Sequence, residues 1–156
     1  MDKLIYLILN KKDDLDENYY INMILKDDRI NYIFVNITKT NKLYYDKKNK
    51  TIYVNDKNEK LKYSLYWIYK QKKYDYVYVI NNNDDIMDID DNIYNYRFYA
   101  EKFKKEKKIL YPLTNYIIDK KCIKILLSSN ENNELYNKNI SNLLSKYKIY
   151  LNKVNK

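Results

Sequence analysis

The chain is 156 residues long and carries 30 Lys and Arg against 21 Asp and Glu, a formal charge of +9. That length suits a single domain, residues 1–156, with one core. With no Gly, no His and one Cys, the sequence excludes a P-loop, a dinucleotide-binding glycine fingerprint, Ser-His and Cys-His nucleophile systems and His-ligated zinc.

Lys, Asn, Ile and Tyr dominate, as in proteins encoded by AT-rich sequence. Lys is then the default surface residue, and Asn is expected at left-handed backbone positions where other chains use Gly. The positive charge raises the question of an acidic partner. Only Arg29 and Arg97 are arginine, the residue type suited to bidentate phosphate and base contacts. The tyrosines fall mostly in runs that read as core, so nucleic acid is disfavoured as a partner. No run of ~18 apolar residues exists to span a membrane, and the apolar run 4–9 is too short for a signal-peptide core. A cytoplasmic protein is expected, and the lone Cys122 fits a reducing compartment as a small buried hydrophobe.

Residues 4–9 (LIYLIL) form a continuous apolar run and read as a buried strand. Residues 13–16 offer helix caps, and Tyr20, Met23 and Ile24 follow at helical spacing. Residues 30–35 (INYIFV) read as another strand, which makes a strand–helix–strand unit of a parallel sheet. Residues 42–45 and 51–54 are β-rich pieces joined by 46–50, the pattern of a hairpin. Asp56 and Glu59 have capping-box spacing. Behind them Leu61, Leu65 and Ile68 share one helical face, with Ser64 and Trp67 beside it. Tyr76–Ile80 is an uncharged β-branched and aromatic run, hence a central strand covered on both faces.

Residues 88–95 read as irregular and 96–108 as a Lys-rich helix with a solvated face. Short strands are expected at 109–111 and 116–118. Asp119 should cap a helix reaching about Leu127 that carries Cys122, Ile123 and Leu126. Residues 130–133 read as a loop. Residues 135–147 form a last helix with Ile140, Leu143, Leu144 and Tyr147 in step, and 148–151 a final strand.

The central strand ends in Asn81-Asn82-Asn83-Asp84-Asp85. In open α/β sheets ligands sit at the carboxyl ends of strands. Asn and Asp oxygens placed there suit a hard divalent cation, which in turn holds a diphosphate. The same residues also suit a plain polar turn, because their side chains bond the nearby backbone.

The order of elements resembles the fringe-like β-1,3-galactosyltransferase group of GT-A glycosyltransferases, in the compact anchorless form found in large DNA viruses. Residues 4–9 and 31–35 look like its first two strands. Tyr45-Asp46 and Ile52-Tyr53-Val54 look like its hairpin, and 61–69, with Leu65-Tyr66-Trp67-Ile68, like the helix before its metal-binding strand. Tyr74-Asp75-Tyr76-Val77 is similar to its YDYI-type entry into that strand. Thr114-Asn115-Tyr116-Ile117-Ile118-Asp119-Lys120-Lys121-Cys122 resembles its Ser-Gly-Tyr-aliphatic-aliphatic-Ser-Lys-Lys-Ala segment, with Asn115 for the glycine and Asp119 for the serine.

The resemblance implies an α/β fold with a mainly parallel sheet and helices on both faces. It also implies transfer of a hexose from a nucleotide-diphosphate sugar to an acceptor that the sequence does not identify. The family's Asp-Asp-Asp motif falls on Asn81, Asn82 and Asn83, which are the expected donor-binding residues. A shift of register brings in carboxylates, so Asn83, Asp84 and Asp85 are the expected ligands of Mn²⁺. The family's Glu-Asp pair falls on Tyr136-Asn137, neither of them a base at neutral pH. Glu131 and Glu134 are the expected substitutes. The degenerate motif equally suits a second reading, a relic of the same fold that is retained for binding or assembly.

Overall fold

A computed structural model describes residues 3–10, 22, 30–38, 43–129 and 135–154. The helix expected around Tyr20, Met23 and Ile24 and the loop at 130–133 lie outside the described residues. So do Glu131 and Glu134.

The apolar runs form the strands β1 (Leu4–Ile8), β2 (Asn31–Ile37), β4 (Thr51–Val54) and β5 (Tyr76–Ile80). Short β3 (Tyr44–Asp46), β6 (Phe98–Tyr99) and β9 (Tyr116–Asp119) complete a seven-stranded sheet in the order β3-β4-β2-β1-β5-β9-β6. The block β4-β2-β1-β5 is parallel, while β3 and β9 run antiparallel to their neighbours. β5 therefore lies inside the sheet between β1 and β9, as its uncharged sequence requires. The β3–β4 turn is closed by Asp46, whose carboxylate accepts from the backbone N–H groups of Lys48 and Asn49.

Alternation along the strands separates two cores. One face carries Ile5, Leu7, Ile33, Val35, Ile52, Val77, Val79 and Ile118. Onto it pack the helices α1 (Lys60–Gln71), α2 (Lys120–Ser128) and α3 (Asn137–Ser145). They contribute Leu61, Leu65 and Ile68, then Cys122, Ile123 and Leu126, then Ile140 and Leu144. Trp67 is half-buried at the margin, its ring tilted 37° against that of Tyr45 with centroids 4.4 Å apart. Asp119 caps α2 as expected, accepting from the Cys122 N–H at 3.0 Å. Cys122 is a buried free thiol, and burial first, with Asp119 second, pushes its pKa well up. It is a packing residue.

The other face carries Tyr6, Ile8, Tyr32, Phe34, Tyr78, Ile80 and Ile117. Among the described residues no helix covers it. Met87 and Ile93 do so from the segment between β5 and β6, which is held in 3₁₀ turns by Asn82 and Asp90. The described helices thus all pack on one face of the sheet; the helix expected between β1 and β2 lies outside the described residues. None is long and apolar enough to cross a membrane.

Two expectations fail. Residues 96–108 are not helical: they form β6 and then β7 (Phe103–Glu106), which pairs with β8 (Ile109–Pro112) in a separate hairpin. Phe98 and Ala100 are buried at period two, and the run of lysines masked that alternation. The tail at 148–151 is no strand either. Lys148 has φ 61°, the Ile149 N–H bonds the Leu144 carbonyl and the Lys148 N–H that of Ser145. This is a Schellman closure of α3. Tyr147, expected on the buried stripe, is exposed.

Left-handed positions in this glycine-free chain go mainly to Lys. Among the described residues Lys50, Lys72, Lys107, Lys108, Lys148 and Asn152 have positive φ. Asparagine, the expected substitute, takes one of the six.

Candidate functional site

The chain steps from β1 outward to β2 and β4 on one side and then returns from β4 to place β5 on the other side of β1, so the strand order reverses between β1 and β5. At such a switch point the loops leaving neighbouring strands part and open a crevice beyond their carboxyl ends. Here a cleft of about 410 Å³ occupies that place. Leu9 and Asn10 enter it from the end of β1, Asn81 from the end of β5, Lys57 from the 3₁₀ turn before α1, Lys60 from the start of α1, and Asn137 from the start of α3.

Its floor is built by amides. The buried Asn115 accepts from the backbone N–H groups of Asn81 at 2.7 Å and Asn82 at 2.9 Å, and donates to the Asn82 carbonyl at 2.9 Å. It holds the strand end as a backbone partner would. The Asn81 amide donates to the Thr114 carbonyl at 2.9 Å, and Asn10 donates to the Asn81 carbonyl at 2.8 Å. Asn137 ties α3 to the same loop through the carbonyls of Pro112 and Thr114, both at 2.9 Å. The Lys60 ammonium donates to the Leu9 carbonyl at 3.0 Å.

Tyr116 also borders the cleft. Its buried hydroxyl has no hydrogen-bond partner among the described residues, and burial pushes its pKa far up. A buried unpaired hydroxyl costs free energy.

Of the expected cation ligands, Asp85 has both carboxylate oxygens engaged and Asn83 is tied through its amide N–H. Asn82 accepts from the Asp84 N–H at 2.9 Å, so it caps the 3₁₀ turn Asn83–Asp85. Asn83 donates to the Asn10 carbonyl at 3.2 Å. Asp85 faces Lys102 at 2.6 Å and accepts from the Thr114 hydroxyl at 2.9 Å. Those two hydrogen bonds, Lys102 first, hold its carboxyl below the ordinary range. Asp84 is exposed. No group of three or more acidic, His or Cys side chains converges on one point among the described residues. Within the expected Mn²⁺ set Asn83, Asp84 and Asp85, the Lys102 ammonium neutralises the Asp85 carboxylate, so a cation would have to displace that ammonium to reach it.

The strand end, and Asn81 within it, were legible in the sequence. Lys57, Lys60, Asn10 and Tyr116 were not singled out as site residues, since only the topology brings them together. No protein-family model matches the chain, and no curated protein matches it.

Proposed function

We propose that the switch-point cleft binds a nucleotide-diphosphate sugar and that the chain is a hexosyltransferase of the GT-A type. The observation that carries this reading is the cleft between the carboxyl ends of β1 and β5, where Lys57, Lys60, Asn10 and Asn81 meet an apolar wall of Leu9, Ile37, Leu61 and Leu135. The resemblance of the element order to GT-A enzymes supports it. In this reading Lys57 and Lys60 neutralise the diphosphate, Asn10 and Asn81 orient the donor, and the Tyr116 hydroxyl pairs with a donor oxygen. As the bond from the sugar C1 to the diphosphate oxygen breaks, negative charge grows on the leaving group, and the two ammonium groups stabilise it there. The acceptor hydroxyl attacks C1 and loses its proton to a base. Tyr136 and Asn137 do not serve, so Glu131 or Glu134 takes that role; Glu134 directly precedes Leu135 of the cleft wall.

A second reading, donor binding without transfer, draws on the engagement of Asp85 by Lys102. Calorimetry with UDP-galactose separates the readings when combined with a UDP-release assay. Binding that weakens about tenfold or more in Lys57→Ala is expected for a lysine paired with a diphosphate. An Mn²⁺-dependent gain, lost in Asp84→Asn with Asp85→Asn, would show that the cation displaces Lys102. UDP release that is lost on Glu131→Gln or Glu134→Gln identifies the enzyme. Binding without release identifies the relic. No binding at millimolar donor overturns both.

A further inference from the structure

A second cleft, of about 650 Å³, lies where Arg97, Lys121, Tyr147, Lys148, Tyr150 and Lys153 meet. It is at the opposite end of the sheet from the first. Asp119, beside it, pairs with Tyr76 at the start of β5, whereas the donor cleft lies beyond the end of that strand. Arg97 is neutralised by Asp119 at 2.7 Å. Lys121, Lys148 and Lys153 are not: the other ion pairs among the described residues use Lys102, Lys120 and Lys138.

The aromatic half of this cleft is exposed and rigid. Tyr147 is 54% and Tyr150 45% accessible. The segment that carries Tyr150 is pinned by buried Ile149 and Leu151. Asn152 adds two hydrogen bonds of 2.9 Å, from its Nδ2 to the Ala100 carbonyl and to its Oδ1 from the Ala100 N–H. Lys153 stands 5.1 Å from the Tyr150 ring centroid. Large rings held at the surface beside uncompensated ammonium groups form a stacking platform with an electrostatic attractor.

We propose that this cleft binds single-stranded nucleic acid, with phosphates on Lys121, Lys148 and Lys153 and bases stacked on Tyr147 and Tyr150. The concave shape suits a flexible chain better than a flat anionic membrane, and the exposed rings give an acidic peptide nothing to stack. Recognition is independent of sequence, because phosphate contacts and base stacking read no base edge.

Fluorescence anisotropy of a labelled oligothymidylate on the intact protein tests this. Binding should weaken with salt at a log–log slope of about −2, as expected for three phosphates on a single strand. Tyr150→Ala should lower affinity by about fivefold or more, the loss typical of one stacked base. Lys121→Ala with Lys153→Ala should lower it further and flatten the slope. Lys47→Ala with Lys48→Ala, an equal change of charge on the β3–β4 turn, should leave it unchanged. Lys121→Glu, at an exposed position, gives the same reading if Tyr150→Ala fails to fold by circular dichroism. Equal losses in the control pair would overturn the proposal. So would duplex DNA, polyglutamate or phosphatidylserine vesicles competing as well as the single strand. UDP-galactose should not compete, which keeps this outcome separate from that of the donor cleft.

Discussion

Single residues in this chain take roles that other sequences give to different types. A left-handed residue with a Cβ costs ~1 kcal/mol relative to glycine, and Lys carries that cost at the end of α1, where Lys72 has φ 56° and its N–H bonds the Tyr69 carbonyl. Lys72→Gly should therefore stabilise the protein by ~1 kcal/mol, raising the thermal midpoint by about 2–4 °C; a lower midpoint would refute the assignment. Asp85 gives a pH signature. Its folded pKa is depressed, by Lys102 first and Thr114 second. Its stabilising contribution is present above the unfolded value of about 3.9 and is lost as pH falls through the folded value. Urea midpoints measured through that acid range should drop less steeply in Asp85→Asn than in the natural protein. Parallel curves would show that the Lys102 contact does not persist in solution.

Among the elements, α1 tests the packing. Leu65 is fully buried between the helix and the sheet, so Leu65→Ala should cost ~2–5 kcal/mol, read from the urea midpoint. An unchanged midpoint would misplace the helix. The strands β1, β2 and β5 were legible because each is a continuous apolar run with a covered face on either side. The helix α2 was legible through its cap, Asp119, and the buried trio Cys122, Ile123 and Leu126. Residues 96–108 were not. The β7–β8 turn is made by Lys107 and Lys108 at φ 47° and 70°, positions where Asn-Gly ordinarily signals a hairpin. Without glycine the turn looked like more of a charged helical face. The tail failed in the same way, since Lys148 closes α3 without the usual residue to announce it.

At the scale of the molecule, the sheet order decides where function can sit. The run Tyr76–Ile80 and its abrupt polar end located one wall of the cleft from sequence alone. The opposite wall was hidden, because Lys57 and Lys60 are two of 30 basic residues and only the crossover from β4 through α1 to β5 brings them across from Asn81. Asn115, expected in place of a glycine, has no positive φ; its hydrogen bonds to the strand end follow from the antiparallel pairing of β9 with β5. The two clefts lie at opposite ends of β5, one of mixed lysine, amide and apolar lining and one basic-aromatic, so ligands for them should perturb different residues. The most direct test of the central claim is a heteronuclear NMR titration with UDP-galactose. Amide resonances of Asn10, Asn58, Asn81, Tyr116 and Asn137 should shift, while those of Arg97, Lys121 and Tyr150 stay in place. Shifts confined to Arg97, Lys121 and Tyr150, or none at millimolar donor, would contradict a nucleotide-sugar site at the β1–β5 switch point.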